Sequence, residues 1–305
     1  MLDTMEKQML LEDHVRKNKR DTVLICIFMV VLLFSVIFAI GLALGAPPYF
    51  TMAIALPIAL FYIMITYSFS VQTVISAAGA RPANPQVREE KMLIYKAEEM
   101  AIAAGLPPPK VYVQDSKDIN AFATGKKPEE SIICATTGAI RQLNNEELEG
   151  VIGHEMSHIK NRDILVMTVT VAVVGTIAIL AEIALRSLLW GGGGRESKKG
   201  GGGIVLIIVA IIFIVLAPLF SRLTYLAISR RREYLADADG AYLTRNPDGL
   251  AAALEKIKND LPDDPKGSKT VAPLYIANPY KRALRNSIWS THPPLDERIR
   301  RLRSM

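Results

Sequence analysis

Long apolar runs without charged residues most constrain how this chain can fold. The run from Val23 to Leu44 has no charged side chain, and Phe50 to Phe69 is a second such run. Each is long enough to cross the hydrocarbon layer, which needs about 20 helical residues at roughly 1.5 Å per residue. Ile164 to Ala181 and Ile204 to Phe220 are also uncharged but shorter. The pattern predicts about four transmembrane helices.

Two alternatives to this interpretation remain open. The third and fourth runs are also compatible with buried core helices, because Glu182 and Arg186 closely follow the third run and the fourth is short. The first run is also compatible with a signal peptide. Its apolar stretch is longer than the usual signal segment of about 7–15 residues and follows a polar segment, so a retained anchor is favoured.

Lysine and arginine positions predict the orientation in the membrane. Basic residues precede the first run and follow the second, whereas none lies between Leu44 and Phe50. Because positive charge collects on the cytoplasmic side, we expect an integral, multi-pass protein of the cell membrane (plasma or inner) with its polar domain facing the cytoplasm. Arg222 and Arg230 after the fourth run agree, whereas Arg195 in a Gly-rich loop opposes this orientation.

Composition argues against two other classes of protein. The chain has only two cysteines, Cys26 and Cys134, so it has no disulfide framework of the kind that stabilises small secreted domains. Its net charge of +6 is not gathered into a basic patch interleaved with aromatic residues or a groove-reading motif. No nucleic-acid partner is therefore predicted, and the sequence does not determine the oligomeric state.

The polar segment after the second run predicts a helix, a small sheet and another helix. Val87 to Ala104 has a helical pattern that Gly105 ends. Three short runs rich in β-branched and aromatic residues then predict a small antiparallel sheet; they are Lys110–Gln114, Ile119–Thr124 and Ser131–Ala135. From Asn144 a further helix begins and continues through Asn161–Asp163 into the third apolar run.

Two of the four histidines lie four residues apart on that helix, in the sequence His154-Glu155-Met156-Ser157-His158. This spacing places both imidazoles on one helical face, where they can bind one metal ion. Glu155 points beside the ion, where a carboxylate can take a proton from an activated water molecule. The pattern predicts a zinc hydrolase. Two histidines without a function are the alternative.

A catalytic zinc site normally has three protein ligands, so one more must come from elsewhere. Glu233 is the best candidate because it begins a second helix and has a carboxylate, Asp237, one turn later. We expect Glu233 to bind zinc and Asp237 to accept the free N–H of a ligating histidine. The alternatives are ion pairing of Glu233 with the preceding arginines and an ordinary solvated role for Asp237.

The chain resembles the HtpX-type membrane metallopeptidases, which are related to the CAAX prenyl endopeptidases. The resemblance rests on H-E-M-S-H, on N-A-F-A-T-G, on E-Y-L-A-D-A-D and on a closing H-P-P-L-D-E-R. It implies one zinc ion per chain held by His154, His158 and Glu233, with Glu155 as general base. It also implies that Asn120 contacts substrate and that His292 and Arg298 face the substrate or transition state.

The fold expected on these grounds is a mostly α membrane protein with a zincin-like α+β protease domain. A cytoplasmic N-terminal part (1–22) and a first transmembrane hairpin (23–76) come first. The first protease part (77–163) follows, then a second transmembrane hairpin (164–221) with its Gly-rich loop (191–203), and then the second protease part (222–305).

The resemblance implies an endopeptidase that acts on membrane or misfolded proteins in quality control and stress response, with the lipid bilayer as its second partner. A processing protease for one defined substrate, such as a lipid-modified protein, fits the same residues. A membrane scaffold that has lost catalysis is the third interpretation, although the intact Glu155 argues against it. Natural substrates and cleavage preference are not encoded in any motif.

Overall fold

The computed structural model describes residues 2–43, 46–175, 230–260, 271–277 and 293–305. Its α-helices are α1 (Leu2–Ala43), α2 (Pro48–Ser68), α3 (Ser70–Ala78), α4 (Arg88–Ala104), α5 (Thr137–Gln142), α6 (Asn145–Lys160), α7 (Asp163–Gly175), α8 (Arg230–Thr244), α9 (Pro247–Asn259) and α10 (Leu295–Arg303). Its strands are β1 (Ala80–Pro82), β2 (Lys110–Gln114), β3 (Ala121–Thr124) and β4 (Ile132–Thr136), with 3-10 turns at Pro128–Glu130 and Ala272–Leu274.

Helices α1 and α2 form a hairpin that contains the first two apolar runs. The side chains of Ala55 and Ala59 on α2 are fully buried, so small residues face the protein. Large apolar side chains face outward instead, and among the described residues most of the exposed ones lie between Val23 and Phe69. Only α2, within the described ranges, is long and apolar enough to span a membrane.

The third apolar run is described as far as Gly175, where it forms helix α7. Helix α7 is buried within the protein over nearly all of its length. Val169 and Val173 pack with Met29 of α1, while Val166 packs with Phe122 of the sheet. Burial of this kind is common to a core helix and to a membrane helix packed against other spans, so both interpretations of the third run remain. The fourth run and the Gly-rich loop lie outside the described residues.

The sheet has four strands in the order β1-β2-β4-β3 and is mixed. Strands β1 and β2 pair antiparallel, as do β3 and β4, but β2 and β4 are parallel, with Val111 opposite Ile133. The prediction of an antiparallel sheet was therefore wrong. Every residue of β4 is buried, so this most apolar strand occupies the centre, and β3 turns back along its far side.

Both faces of the sheet are covered, which explains why its strands lack alternation of polar and apolar residues. On one face Ile133 and Ala135 join the main core, which also contains residues of α4, α6 and α9. On the other face Phe122 and Cys134 pack with α7 and α3. The edge of the sheet formed by β3 lies next to α6 and carries the predicted substrate strand.

Helix α6 ends at Lys160 and does not continue into the third apolar run, contrary to expectation. Arg162 has a left-handed backbone with φ 59°, which no α-helix accommodates. The Asn161 side chain donates to Ser157 Oγ at 3.2 Å and to Asp239 Oδ2 at 2.9 Å. The backbone carbonyl of Asn161 accepts from Asn18 Nδ2 at 3.0 Å. Tertiary hydrogen bonds thus stabilise a turn that sequence pattern alone did not indicate.

Glycines bring α6 unusually close to the helices that follow it. A Cβ on Gly240 of α8 would lie 2.8 Å from the backbone nitrogen of His154, and one on Gly150 of α6 would lie 2.6 Å from that of Leu250. Contacts below about 3 Å are repulsive, and backbone atoms cannot rotate away as a flexible side chain can. The glycines therefore set the distance between α6 and α8.

Replacement of Gly240 by alanine should lower stability, although alanine is the better helix former by about 1 kcal/mol. The added methyl group meets the His154 backbone, and overpacking of this kind costs about 1–3 kcal/mol. We expect thermal unfolding in detergent to begin several degrees lower. Tyr242→Ala, which removes a 75% exposed side chain from the same helix, is the control and should have little effect. An unchanged Tm for Gly240→Ala would show that α6 and α8 can separate freely.

Candidate active site

His154, His158 and Glu233 converge in the protein interior. His154 Nε2 lies 3.9 Å from Glu233 Oε2, and His158 Nε2 lies 3.6 Å from Glu233 Oε1. One ligand atom from each residue lies within 4.8 Å of the other two, and all three side chains are buried. Ligand atoms about 2.0–2.2 Å from one ion at tetrahedral angles lie roughly 3.3–3.6 Å apart. The three groups therefore fit a zinc-sized cation with only a small contraction.

The charges buried around this point also favour a divalent cation. Four carboxylates lie in or next to the cluster: Glu155, Glu233, Asp237 and Asp163. The described cations among them are two guanidinium groups, those of Arg298 and Arg232. An uncompensated buried carboxylate is strongly unfavourable, so this excess of negative charge among the described residues favours a bound cation. A divalent ion at the two histidines and Glu233 would offset it.

Asp237 and Arg298 hold the first histidine. Asp237 Oδ1 lies 3.0 Å from His154 Nδ1, which leaves Nε2 directed at Glu233, as the expected role of Asp237 requires. The fully buried Arg298 donates from Nε and Nη2 to the two Asp237 oxygens at 2.8 and 2.7 Å, and its Nη1 lies 3.5 Å from Glu233 Oε2. Its described contacts place Arg298 against the ligands and not at an exposed surface.

Asp163 holds the second histidine, and the sequence analysis did not identify it. Asp163 Oδ2 lies 3.1 Å from His158 Nδ1. Its Oδ1 accepts from Asn18 Nδ2 at 2.9 Å and lies 3.3 Å from Arg232 Nε. Arg232 also donates to Asn18 Oδ1 at 2.7 Å and lies 3.2 Å from Asp21 Oδ2. The N-terminal helix α1 thus contributes directly to the surroundings of the site.

The position of Asp163 in the sequence was a possible signal, but the expectation of a continuous helix through Asn161–Asp163 concealed it. Asp163 directly precedes the third apolar run, five residues after His158. On a continuous helix that spacing would turn its carboxylate away from the histidine, since residues three and four apart share a face. Only the left-handed turn at Arg162 returns Asp163 to His158.

Glu155 lies on the same helix as the two histidines, between them in the chain. Its side chain is buried, and its Oε1 has no hydrogen-bond partner among the described residues. Ala123, on the outer edge of β3, provides a backbone hydrogen bond to Glu155. A buried carboxylate oxygen without a partner is costly, which marks Glu155 as a group whose partner is a ligand or water.

Burial and neighbouring charges set the protonation of these groups. Burial and the charge of Arg298 lower the pKa of His154 to about 4, so this imidazole is neutral and able to bind a metal. Burial opposes protonation of His158, but the hydrogen bond to Asp163 and the charge of Glu233 raise its pKa to about 9. Burial and the nearby Glu233 raise the pKa of Glu155 to about 7. His158 therefore becomes a neutral ligand only when a metal ion displaces its proton from Nε2, since metal binding releases protons from its ligands.

Asn120 directly precedes edge strand β3 and is buried. Its Nδ2 donates to the carbonyl of Ala277 at 2.8 Å, and its Oδ1 accepts from the Ala121 amide at 3.1 Å. The Ile276 amide donates to the Ala121 carbonyl at 2.9 Å. Residues 271–277 therefore cover the start of the outer edge of β3. Further along the same edge, Ala123 faces Glu155 instead. His292 lies outside the described residues.

Two neutral nitrogen ligands, a carboxylate ligand and an adjacent carboxylate base on an HExxH helix define the class of metal-dependent hydrolases. Comparison with known proteins gives the family. The sequence profile of Peptidase family M48 matches residues 88–305, and the chain belongs to this family. All three converging groups and Glu155 lie within the matched region.

Three relatives show the extent of the similarity. The chain is 44% identical to a Protease HtpX homolog of Thermoanaerobacter pseudethanolicus over 80% of its own length and 81% of the relative's. It is 40% identical to one of Dictyoglomus turgidum over 96% and 94%, and 42% identical to one of Streptococcus agalactiae serotype III over 97% and 100%. A crystal structure of S. mikatae Ste24p superposes with a TM-score of 0.44 at 18% identity, over 90% of this chain and 61% of that one.

Asp163→Ala should weaken zinc binding by about 10–100-fold, because outer-shell carboxylates fix the orientation and basicity of a ligating histidine. Competition with a chromophoric chelator would measure the affinity, and the absorption spectrum of the cobalt-substituted protein would report the ligand geometry. The matched control is Asp115→Ala, since the Asp115 side chain is 71% exposed and remote from the site. Equal zinc affinity in both variants would exclude the role of Asp163.

Proposed function

We propose that this protein is a zinc-dependent endopeptidase of a membrane. The observation that carries the proposal is the convergence of two histidine Nε2 atoms and Glu233, with Glu155 one residue away on the same helix. Two neutral ligands and one carboxylate leave a fourth coordination position open, which distinguishes a catalytic site from a structural one.

When bound, zinc would lower the pKa of a water molecule to about 7 and polarise the peptide carbonyl. Glu155 then accepts the proton of the attacking water on its buried Oε1 and delivers it to the leaving amine. Asp237 and Asp163 keep the two Nδ1 atoms as donors, so both Nε2 atoms remain available as ligands. Arg298 fixes Asp237 and balances its charge.

Substrate binding is proposed at the outer edge of strand β3, beyond the part that residues 271–277 cover. Ala123 lies on the outer edge of the sheet and faces Glu155, so a peptide paired there would pass directly over the base. Main-chain pairing of this kind recognises an extended segment with little regard to its side chains. Asn120 helps by holding residue 277 against the start of the same edge. His292 is proposed to stabilise the developing oxyanion.

Membrane attachment is proposed from the first two helices. Their outward faces carry large apolar side chains, of which Val23, Val31 and Phe61 are 56%, 57% and 59% exposed. A water-soluble protein rarely exposes a continuous apolar surface of this extent. The natural substrates are therefore proposed to be membrane proteins or misfolded segments close to the cytoplasmic face, as expected for quality control under stress.

Glu155→Gln should retain zinc and the fold but lose turnover by several orders of magnitude, because only the proton acceptor is removed. Casein cleavage in detergent would measure turnover, and elemental analysis would measure zinc. Activity within about tenfold of wild type would contradict the role of Glu155 as base.

Two variants separate loss of the base from other causes. Glu149→Gln changes a partly exposed carboxylate of the same helix and should leave turnover intact. Glu233→Ala should lose zinc as well as turnover, because it removes the third ligand. Full zinc content in purified Glu233→Ala would require a different ligand set.

The proposed orientation predicts which side of the membrane each segment faces. In a Cys26→Ser background, Lys160→Cys and Arg231→Cys should react with an impermeant maleimide only in inside-out vesicles. Tyr49→Cys, at a 78% exposed position in the first turn of α2, is the control and should react only from the outside. Labelling of Lys160→Cys from the outside would reverse the topology.

A further inference from the structure

A groove of about 770 Å³ lies between α1, α2 and the start of α7, away from the active site. Its walls are apolar side chains of the first two runs, with Thr22 and Cys26 among them. They include Val23, Ile27, Val30, Val31, Leu60, Ile63, Tyr67 and Leu165. Its outer rim is open, since Ile27 and Leu60 are 54% and 52% exposed. The groove has the width and apolarity to hold a hydrocarbon chain.

Four cationic residues line the same groove: Lys19, Lys126, Lys127 and Arg162. None of the described residues lining it is acidic. Lys127 pairs with Glu130 at 3.0 Å. Within the described part of the chain Lys126 contacts two neutral groups, the Tyr67 ring at 5.2 Å and the Ser68 carbonyl at 3.3 Å. The site therefore has an excess of positive charge that its own residues leave largely uncompensated.

These cations lie at one end of the apolar walls. Lys19 precedes Val23 by one helical turn, at the start of the first run. Lys126 reaches the carbonyl of Ser68, at the end of the second run. Arg162 lies in the turn before α7. If α1 and α2 are membrane helices, the cations are at the depth of lipid headgroups and the walls at the depth of acyl chains.

We propose that this groove binds one anionic phospholipid, with an acyl chain between α1 and α2 and its phosphate against Lys19, Lys126 and Arg162. A basic pocket between helices at the cytoplasmic boundary matches an anionic headgroup. A zwitterionic lipid would bring its own positive charge to a groove whose described lining contains cationic but no acidic residues. A free anion would leave the apolar walls unfilled. An anionic lipid matches both features of the groove.

The lipid would also bear on the active site. Arg162 occupies the left-handed turn that directs Asp163 to His158. A phosphate held by Arg162 would order this turn and so the second histidine. This consequence rests on the proposed zinc site, whereas lipid binding itself does not.

Native mass spectrometry would test the proposal on the full-length protein extracted into nanodiscs. The lipids would be phosphatidylglycerol or phosphatidylcholine with the same acyl chains. We expect wild type to retain one phosphatidylglycerol with at least a tenfold preference over phosphatidylcholine. The combined variant Lys19→Gln, Lys126→Gln and Arg162→Asn should lose this preference; asparagine is chosen because it tolerates a left-handed backbone. The control variant Arg88→Gln, Lys91→Gln and Lys110→Gln removes the same charge from exposed positions outside the groove and should behave as wild type.

Two further measurements separate the possible occupants. Val30→Trp fills the apolar part without changing charge and should reduce retention of phosphatidylglycerol. Glycerol phosphate alone should not compete with the lipid. Equal retention by the combined variant and wild type would overturn the proposal, as would equal preference for the two lipids or full competition by glycerol phosphate. If the combined variant fails to fold, Lys19→Gln alone, at an exposed position, should still lower the preference measurably.

Discussion

The close packing of α6 against α8 is the constraint on which the site depends. Gly240 of α8 lies against the backbone of His154, and Gly150 of α6 lies against Leu250 at the start of α9. No larger residue fits these contacts without a shift of the backbone. At this distance the carboxylates of Glu233 and Asp237 reach His154 from the neighbouring helix. A larger separation would lengthen the 3.0 Å contact between His154 Nδ1 and Asp237 Oδ1.

Close packing also concentrates charge, and the arrangement of that charge determines the chemistry. Each histidine has one carboxylate on Nδ1 and shares Glu233 on the side of Nε2. Arg298 and Arg232 compensate the two outer carboxylates. Burial raises the pKa of the inner pair, Glu155 and Glu233, although Arg298 Nη1 lies 3.5 Å from Glu233 Oε2. A cation bound at the two histidines and Glu233 would offset the cost of burying these carboxylates.

The surroundings of the site connect it to the membrane-facing part of the chain. Asn18 of α1 bonds both Asp163 and the carbonyl of Asn161. Helix α1 continues from this contact into the first apolar run, and the proposed lipid groove begins at the next residue, Lys19. Binding of a lipid in this groove would therefore act on the residues that orient His158, namely Asn18, Asn161 and Asp163. Coupling of this kind requires that the turn at Asn161–Asp163 have a defined conformation, which its hydrogen bonds provide.

The positions of most helices could be predicted from the sequence because their signals are local. Asn144 and Glu147 form the capping box that begins α6, and Gly105 ends α4 in a left-handed conformation. Strands β2, β3 and β4 were also located to within about two residues, whereas β1 was missed. Their pairing was not predicted, since the parallel contact between β2 and β4 joins segments that no local turn connects.

By itself the sequence determined that two histidines four apart share one face of a helix, with a glutamate between them in the chain, because helical periodicity alone brings them together. The apolar runs likewise specified helices, of which α1, α2 and α7 are described. Only the tertiary structure decided that Asp163 is the partner of His158, that Arg298 lies behind Asp237, and that Asn18 supports the site. These contacts join residues 61 to 145 positions apart or follow a left-handed turn. Such contacts are selected by shape and burial in the folded chain, and no local pattern records them.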